Sequence, residues 1–233
     1  VDFNKDILNS FSGINGNCKL FSNLEQSFSE NFDGYVVATP AQTHFKITKT
    51  LLSNYKNVLV EKPVCLNLKD ANELYNLAIK NSCFIMGGHL LLFHPAFVKM
   101  KELITNNKIG KIIYLYSNRL NFGKVRNHEN ALWSLAPHDI SLLLYFCGSV
   151  PDKISYNGFK LLGKDIEDSS ISSFNFPMNI GAHIFVSWLH PFKEHRFVIV
   201  GDKGMLSYED SSIKKELLFY VSIKKIKRTR QLE

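Results

Sequence analysis

Residues 34–88 read GYVVATPAQTHFKITKTLLSNYKNVLVEKPVCLNLKDANELYNLAIKNSCFIMGG. Three short apolar runs stand out: GYVVA at 34–38, NVLVE at 57–61 and CFIMG at 83–87. Each reads as a buried strand. Between them lie two stretches with helical spacing. From Gln42 to Leu52, the side chains Phe45, Thr48, Leu51 and Leu52 share a face. From Asn67 to Lys80, Leu68, Ala71, Leu74, Leu77 and Ala78 line one side, and Asn67 is placed to cap the helix. Strand, helix, strand, helix and strand with short connections imply right-handed crossovers and a parallel, doubly wound sheet. Ligands of such sheets bind beyond the carboxyl ends of the strands. Those ends are Thr39-Pro40, Glu61-Lys62-Pro63 and Gly87-Gly88-His89.

The chain changes character after this stretch. A helix is expected from Pro95 to Asn106, a long strand from Lys111 to Asn121, and mostly helix from Ala131 to Phe146. Strands then follow one another at about 152–158, 170–176, 180–188, 195–200, 204–208 and 217–223, broken by turns such as Gly201-Asp202-Lys203-Gly204. Strands in succession without helices predict a mainly antiparallel sheet. The fold class is therefore α/β plus α+β: an incomplete Rossmann domain over 1–90 and an α+β domain over 91–233, whose residues 214–233 form a basic tail.

Composition narrows the function classes. The 233 residues are 45% hydrophobic and 21% charged, the balance of a chain with a core to bury. No apolar run reaches the ~18 residues of a membrane span, and no basic-apolar leader opens the chain. Four widely spaced cysteines, Cys18, Cys65, Cys83 and Cys147, read as free thiols of a reducing, cytoplasmic setting. The net charge is +7, and residues 214–233 hold +5 of it, leaving a nearly neutral body. A solvated tail is the expectation, with no nucleic-acid partner and no membrane partner.

Several residues have side chains suited to chemistry. Lys62, at a strand end, can hydrogen-bond a substrate oxygen; read alone, a surface lysine is the commoner meaning. His138, in Trp133-Ser134-Leu135-Ala136-Pro137-His138-Asp139, has the side chain best suited to accept a proton near neutral pH, although a structural histidine is the commoner meaning for an isolated one. Asp139 beside it could orient it, but capping the helix that follows is the commoner meaning. His44 sits in the first turn of a helix that begins at a strand end, a place that favours anions; read alone, packing or capping is the commoner meaning. His89 and His94 lack a third ligand, so no metal site is expected. The stretch has no GxSxG, Walker-type or HExxH motif.

VVATPAQTH at 36–44, VEKP at 60–63 and WSLAPHDIS at 133–141 occur in order and at separations that resemble the Gfo/Idh/MocA oxidoreductases. SNRLNFGKVR at 117–126 and SWLHPFKEHRFVIVGDKGMLSYED at 187–210 resemble the branch that oxidises UDP-N-acetyl-glucosaminuronate at C3 in surface-polysaccharide synthesis. The resemblance covers roughly residues 1–220 and implies hydride transfer between a sugar carbon and nicotinamide. It implies that Lys62 and His138 are catalytic. Asp2, Thr39, Pro40, His44, Glu61 and Lys62 would line the cofactor, with Asp2 on the adenosine ribose favouring NAD over NADP. Arg119, Asn121 and Trp133 would face a sugar or nucleotide-sugar substrate. A homo-oligomer assembled through the antiparallel sheet is also implied.

Three features depart from the family pattern. The glycine-rich GxGxxG turn does not occur in the 233 residues. Ser134 stands where many members have Asp. The basic tail stands where members continue into further sheet and helix. The expectation is a fragment of a longer dehydrogenase, cut at both ends. The alternative is a non-catalytic remnant that serves as an interaction or oligomerisation module.

Overall fold

A computed structural model describes residues 1–11, 18–122, 125, 129–163 and 165–221. Gly123, Lys124 and Arg126 of the 117–126 motif, and the tail beyond Val221, lie outside the described residues. The chain folds as two compact units, the first running to Gly87 and the second beginning at Gly88.

In the first unit, α1 (Lys5–Phe11) precedes β1 (Tyr35–Val37), α2 (Ala41–Ser53), β2 (Val58–Val60), α3 (Leu68–Lys80) and β3 (Ile85–Gly87). The three strands pair in parallel in the order β1-β2-β3. This is the crossover arrangement expected from the alternation of runs. The helices form where the apolar faces predicted them, except that Leu68, at the start of α3, is exposed. Leu51 and Leu52 of α2 and Leu74 and Ala78 of α3 close over Val37, Val58 and Val60 as one core. Each large side chain so buried contributes about 2 kcal/mol. Asn67 caps α3 as expected: its side chain accepts from the Asp70 amide at 2.9 Å. Among the described residues β1 pairs only with β2. Its outer edge faces a groove of about 300 Å³ lined by Val1, Phe21, Phe32, Val36 and Thr39, among others.

The second unit holds α4 (Pro95–Thr105), β4 (Ile112–Phe122), α5 (Ala131–Leu135) and α6 (Pro137–Cys147). Six strands follow: β5 (Lys153–Phe159), β6 (Ser169–Phe176), β7 (Ile180–Ser187), β8 (Leu189–Gly201), β9 (Gly204–Glu209) and β10 (Leu217–Val221). They form a seven-stranded sheet in the order β10-β9-β8-β4-β7-β6-β5. The expectation of a mainly antiparallel sheet holds, with one exception. β4, the first strand in sequence, inserts between β8 and β7, pairing antiparallel with β8 and parallel with β7. The helical stretch expected over Ala131–Phe146 divides at Ala136, because Pro137 has no amide hydrogen to continue α5 and starts α6 instead. α6 ends at Gly148, whose φ of 68° gives the left-handed turn that closes a helix.

The sheet has two unlike faces. Leu115, Ala182, Ile184, Phe197, Ile199 and Leu206 point into a core with Phe97, Met100, Leu142, Leu143 and Phe146 of α4 and α6. On the opposite face Tyr116 lies opposite His183 on one side and Val198 on the other, and Val198 in turn lies opposite Ser207. No helix of the described residues is long and apolar enough to cross a membrane.

Candidate active site

The carboxyl edge of the first unit's sheet is built from two strand ends. After β1 the chain runs through Thr39 and Pro40 into α2, whose N-terminus has no capping side chain and no acidic residue in its first turn. The Thr43 hydroxyl lies 2.7 Å from that of Thr39 and donates to the Pro40 carbonyl at 2.7 Å. After β2 the chain runs through Glu61 and Lys62, both half-buried, into Pro63 across a cis peptide. The Lys62 amide donates to the Glu61 carboxylate at 3.3 Å.

His44 ties these two ends together. It is 1% exposed. Its Nε2 lies 2.7 Å from the Thr39 carbonyl oxygen and its Nδ1 lies 2.8 Å from that of Pro63. Both ring nitrogens of the residue expected at the cofactor therefore face backbone carbonyls of the rim. Asp2 sits at the start of the chain, accepting from the Asn4 amide at 2.8 Å, while its own amide donates to the Phe21 carbonyl. Neighbouring Val1 and Thr39 line the same groove.

This edge suits part of a dinucleotide. Strand ends and an uncapped helix N-terminus present polar backbone where a nicotinamide ribose and phosphate bind in doubly wound sheets. The glycine-rich turn that cradles a pyrophosphate is not among these residues. Thr39 and Pro40 follow β1, Glu61 and Lys62 follow β2, and Asp2 adjoins Val1, which lines the groove with Thr39.

In the second unit the expected residues gather around α5, α6 and β4. His138 is half-buried in the first turn of α6, and its carbonyl accepts from the Ser141 hydroxyl at 2.6 Å. Ser134 is buried. Trp133 is 45% exposed on α5, whose N-terminus is capped by Asn130. Asn121, near the end of β4, has a buried Oδ1 with no hydrogen-bond partner among the described residues.

Asp139 does not cap α6, whose N-cap is Ala136, and this expectation is corrected. Its side chain is 1% exposed and turns to the sheet. It accepts from Arg119 Nε at 2.6 Å, Arg119 Nη2 at 3.0 Å and the Ser117 hydroxyl at 2.7 Å. A carboxylate already bound on three sides has no reason to turn back to helix amides. Arg119, expected to face the sugar, is thus engaged with Asp139. The Asp139 charge, with Asp210 nearby, raises its pKa against the desolvation that would lower it.

Sequence reasoning missed His195, which lies opposite Arg119 in the β4–β8 register. Its Nε2 is buried with no hydrogen-bond partner among the described residues. Desolvation, reinforced by Arg119 and Lys193, pushes its pKa down to about 4, against smaller opposing effects of Asp139 and Asp210. The alternation of KEHRFVIV was the available signal: it places His195 on the same side as Phe197 and Ile199. No group of three or more metal-ligating side chains occurs among the described residues.

Comparison with known proteins gives these features a family. The family described as "Oxidoreductase family, NAD-binding Rossmann fold" matches residues 11–89, and the GFO/IDH/MocA C-terminal domain matches residues 97–207. A 2,7-anhydro-N-acetylneuraminate hydratase of Mediterraneibacter gnavus is 23% identical over 207 residues, 82% of this chain and 55% of that protein. A UDP-N-acetylglucosamine 3-dehydrogenase of Acidithiobacillus ferrooxidans is 27% identical over 135 residues, 58% of this chain and 42% of that protein. The WlbA dehydrogenase of Bordetella pertussis, solved with NADH and UDP-GlcNAcA, superimposes with a TM-score of 0.81 at 18% identity, covering 95% of this chain and 68% of that one. The chain spans about half the length of the first curated relatives it matches.

Proposed function

The chain belongs to the Gfo/Idh/MocA oxidoreductase family, and from that premise we propose that it takes part in NAD-dependent oxidation of a sugar or nucleotide sugar. The carrying observation is the rim of the parallel sheet, where Glu61-Lys62-Pro63 follows β2 and Thr39-Pro40 follows β1, tied by His44. Bound there, NAD supplies a hydride acceptor. Thr39, Pro40, Glu61 and Lys62 would hold it, and Asp2 would take the adenosine ribose, which favours NAD over NADP.

By the family resemblance, Lys62 would donate a hydrogen bond to the reacting sugar oxygen and His138 would accept the hydroxyl proton, with NAD as the hydride acceptor. Asn121 and Trp133 face the sugar. Asn121 offers an acceptor that needs a donor, and Trp133 offers a half-exposed ring on which a sugar face can pack. The relatives' names describe N-acetylated sugars, 2,7-anhydro-N-acetylneuraminate and UDP-N-acetylglucosamine. An N-acetylated nucleotide sugar, used in cytoplasmic synthesis of surface polysaccharide, is therefore the proposed substrate class. The protein works as a homo-oligomer joined through the open face of its seven-stranded sheet.

The test is titration with NADH by fluorescence, followed by turnover with UDP-N-acetylglucosamine and its uronate. Saturable NADH binding with sugar-dependent reduction of NAD is expected. Absence of NADH binding would overturn this reading in favour of the non-catalytic interaction module.

A further inference from the structure

The second unit contains a buried ion pair that the proposed chemistry does not use. Asp139, 1% exposed, accepts both Arg119 contacts and the Ser117 hydroxyl, all from one strand, β4. Its neighbour in sequence is His138.

The packing of α6 shows what this pair does. The buried residues of the helix are Asp139, Ser141, Leu142, Leu143 and Phe146. The apolar ones, Leu142, Leu143 and Phe146, lie beyond the first turn and bind the rest of the helix to the core. Around the first turn, Ala136 at the N-cap is buried in the core and Ile140 packs partly against it. Ala136, at its N-cap, makes no side-chain cap bond, and a new helix begins there after the break at Pro137. The buried polar group in that turn is the Asp139 carboxylate, held to β4 where the apolar contacts carry no direction. Successive residues of an α-helix are set 100° apart, so fixing the side chain of Asp139 fixes the rotation of the turn and the direction in which His138 leaves it.

We propose that Arg119, Asp139 and Ser117 are positioning residues that lock the first turn of α6 to β4 and thereby aim His138. The proposal rests on the reading of His138 as the proton acceptor. It gives Arg119 a task other than substrate contact. A planar guanidinium suits it, because two parallel N–H bonds fix orientation as well as distance.

The experiment uses the full chain and four variants: Asp139→Asn, Arg119→Lys, Ser117→Ala and the paired replacement Arg119→Met with Asp139→Leu. The paired variant keeps volume and removes both charges together, an exchange that often preserves stability. It guards against failure of the single variants to fold. Two readouts are taken. Hydrogen exchange at Ile140 and Ser141 is compared with that at Leu144 and Tyr145. Turnover with NAD and an N-acetylated nucleotide sugar gives kcat and KM.

The expected result is faster exchange at Ile140 and Ser141 in Asp139→Asn and in the paired variant, with Leu144 and Tyr145 unchanged. In the same variants kcat falls by roughly 10- to 100-fold at nearly constant KM, the cost of a misplaced catalytic group. Arg119→Lys recovers part of both, and Ser117→Ala loses least. Unchanged exchange and kcat in the paired variant overturn the proposal. So does a rise in KM alone, which would return Arg119 to substrate binding. If the unsubstituted chain shows no turnover, the functional reading fails, while the exchange measurement still decides whether the lock exists.

Discussion

His44 Nδ1 lies 2.8 Å from the carbonyl oxygen of Pro63, nineteen residues away, while its Nε2 reaches the Thr39 carbonyl at 2.7 Å. One buried ring therefore sets the separation of the two strand ends that form the proposed cofactor rim. Two carbonyls can both accept from an imidazole only when both ring nitrogens carry hydrogen; a neutral ring donates to one. His44→Ala would leave both carbonyls without this partner and a cavity between them. A loss of about 2–4 kcal/mol is expected, with weaker NADH binding, read by urea unfolding and fluorescence titration. A variant as stable and as tightly binding as the original would mean that the ring fills space and nothing more.

Lys62 is expected to matter for rate and little for folding. It is half-buried at the end of β2, outside the core formed by Val37, Val58, Val60, Leu51, Leu52 and Leu74. Removing an amine that steadies the reacting oxygen should lower kcat by roughly 10²- to 10⁴-fold. Stability should change by no more than about 0.5 kcal/mol. Steady-state kinetics and the unfolding midpoint of Lys62→Ala check both. Undiminished turnover would remove Lys62 from the mechanism.

The elements that were legible in the sequence are those with a strong local period. β1, β2 and β3 lie within the runs at 34–38, 57–61 and 83–87, and Asn67 caps α3 because a side-chain acceptor at that position has a local partner. What escaped reading depends on contacts between distant segments. The insertion of β4 between β7 and β8 is set by packing, and no pattern within residues 112–122 announces a parallel partner at 180–187. Asp139 looked like a cap because the helix start was visible and Arg119, twenty residues earlier on a strand, was not visibly its neighbour. His44 lies at the start of α2 as read, while its partners are backbone carbonyls, which every residue carries and no sequence pattern marks.

His195 gives the fold a dependence on pH. Its pKa in the folded protein is about 4, lowered first by desolvation and then by Arg119 and Lys193. In the unfolded chain it is about 6.5. Between those values the unfolded chain binds the extra proton, so acid favours unfolding. The stability this neutral ring confers is complete above about pH 6.5 and is lost as pH falls toward 4. The ring is partly exposed, which reduces the effect to about 1 kcal/mol. His183 and His89 are lowered by desolvation too and act in the same direction. Urea midpoints at pH 7.5 and 5 for the original and for His195→Gln separate its share: the variant should lose less on acidification. Equal losses would show that His195 is not buried as a neutral group.

The open face of the seven-stranded sheet supplies the last test. Tyr116 stacks on His183 with ring centroids 5.3 Å apart and planes 4° from parallel, and the Tyr114 hydroxyl lies 2.6 Å from His183 Nδ1. Beside them Tyr116, Val198, Met205, Leu218 and Tyr220 line a recess of about 400 Å³ crossed by the Arg196–Glu209 ion pair. A sheet face with aromatic and aliphatic side chains flanked by both charges is the composition of an interface between protein chains. A second copy, presenting the same charges in reverse, can match it. Tyr116→Glu would set a carboxylate on this face, in the recess that Glu209 and Glu216 also line. Light scattering at micromolar concentration should give an oligomer for the original chain and a monomer for this variant, with similar unfolding midpoints at concentrations where both are monomeric. A monomeric original chain would rule out assembly through this face. An oligomer that survives Tyr116→Glu would place the interface elsewhere.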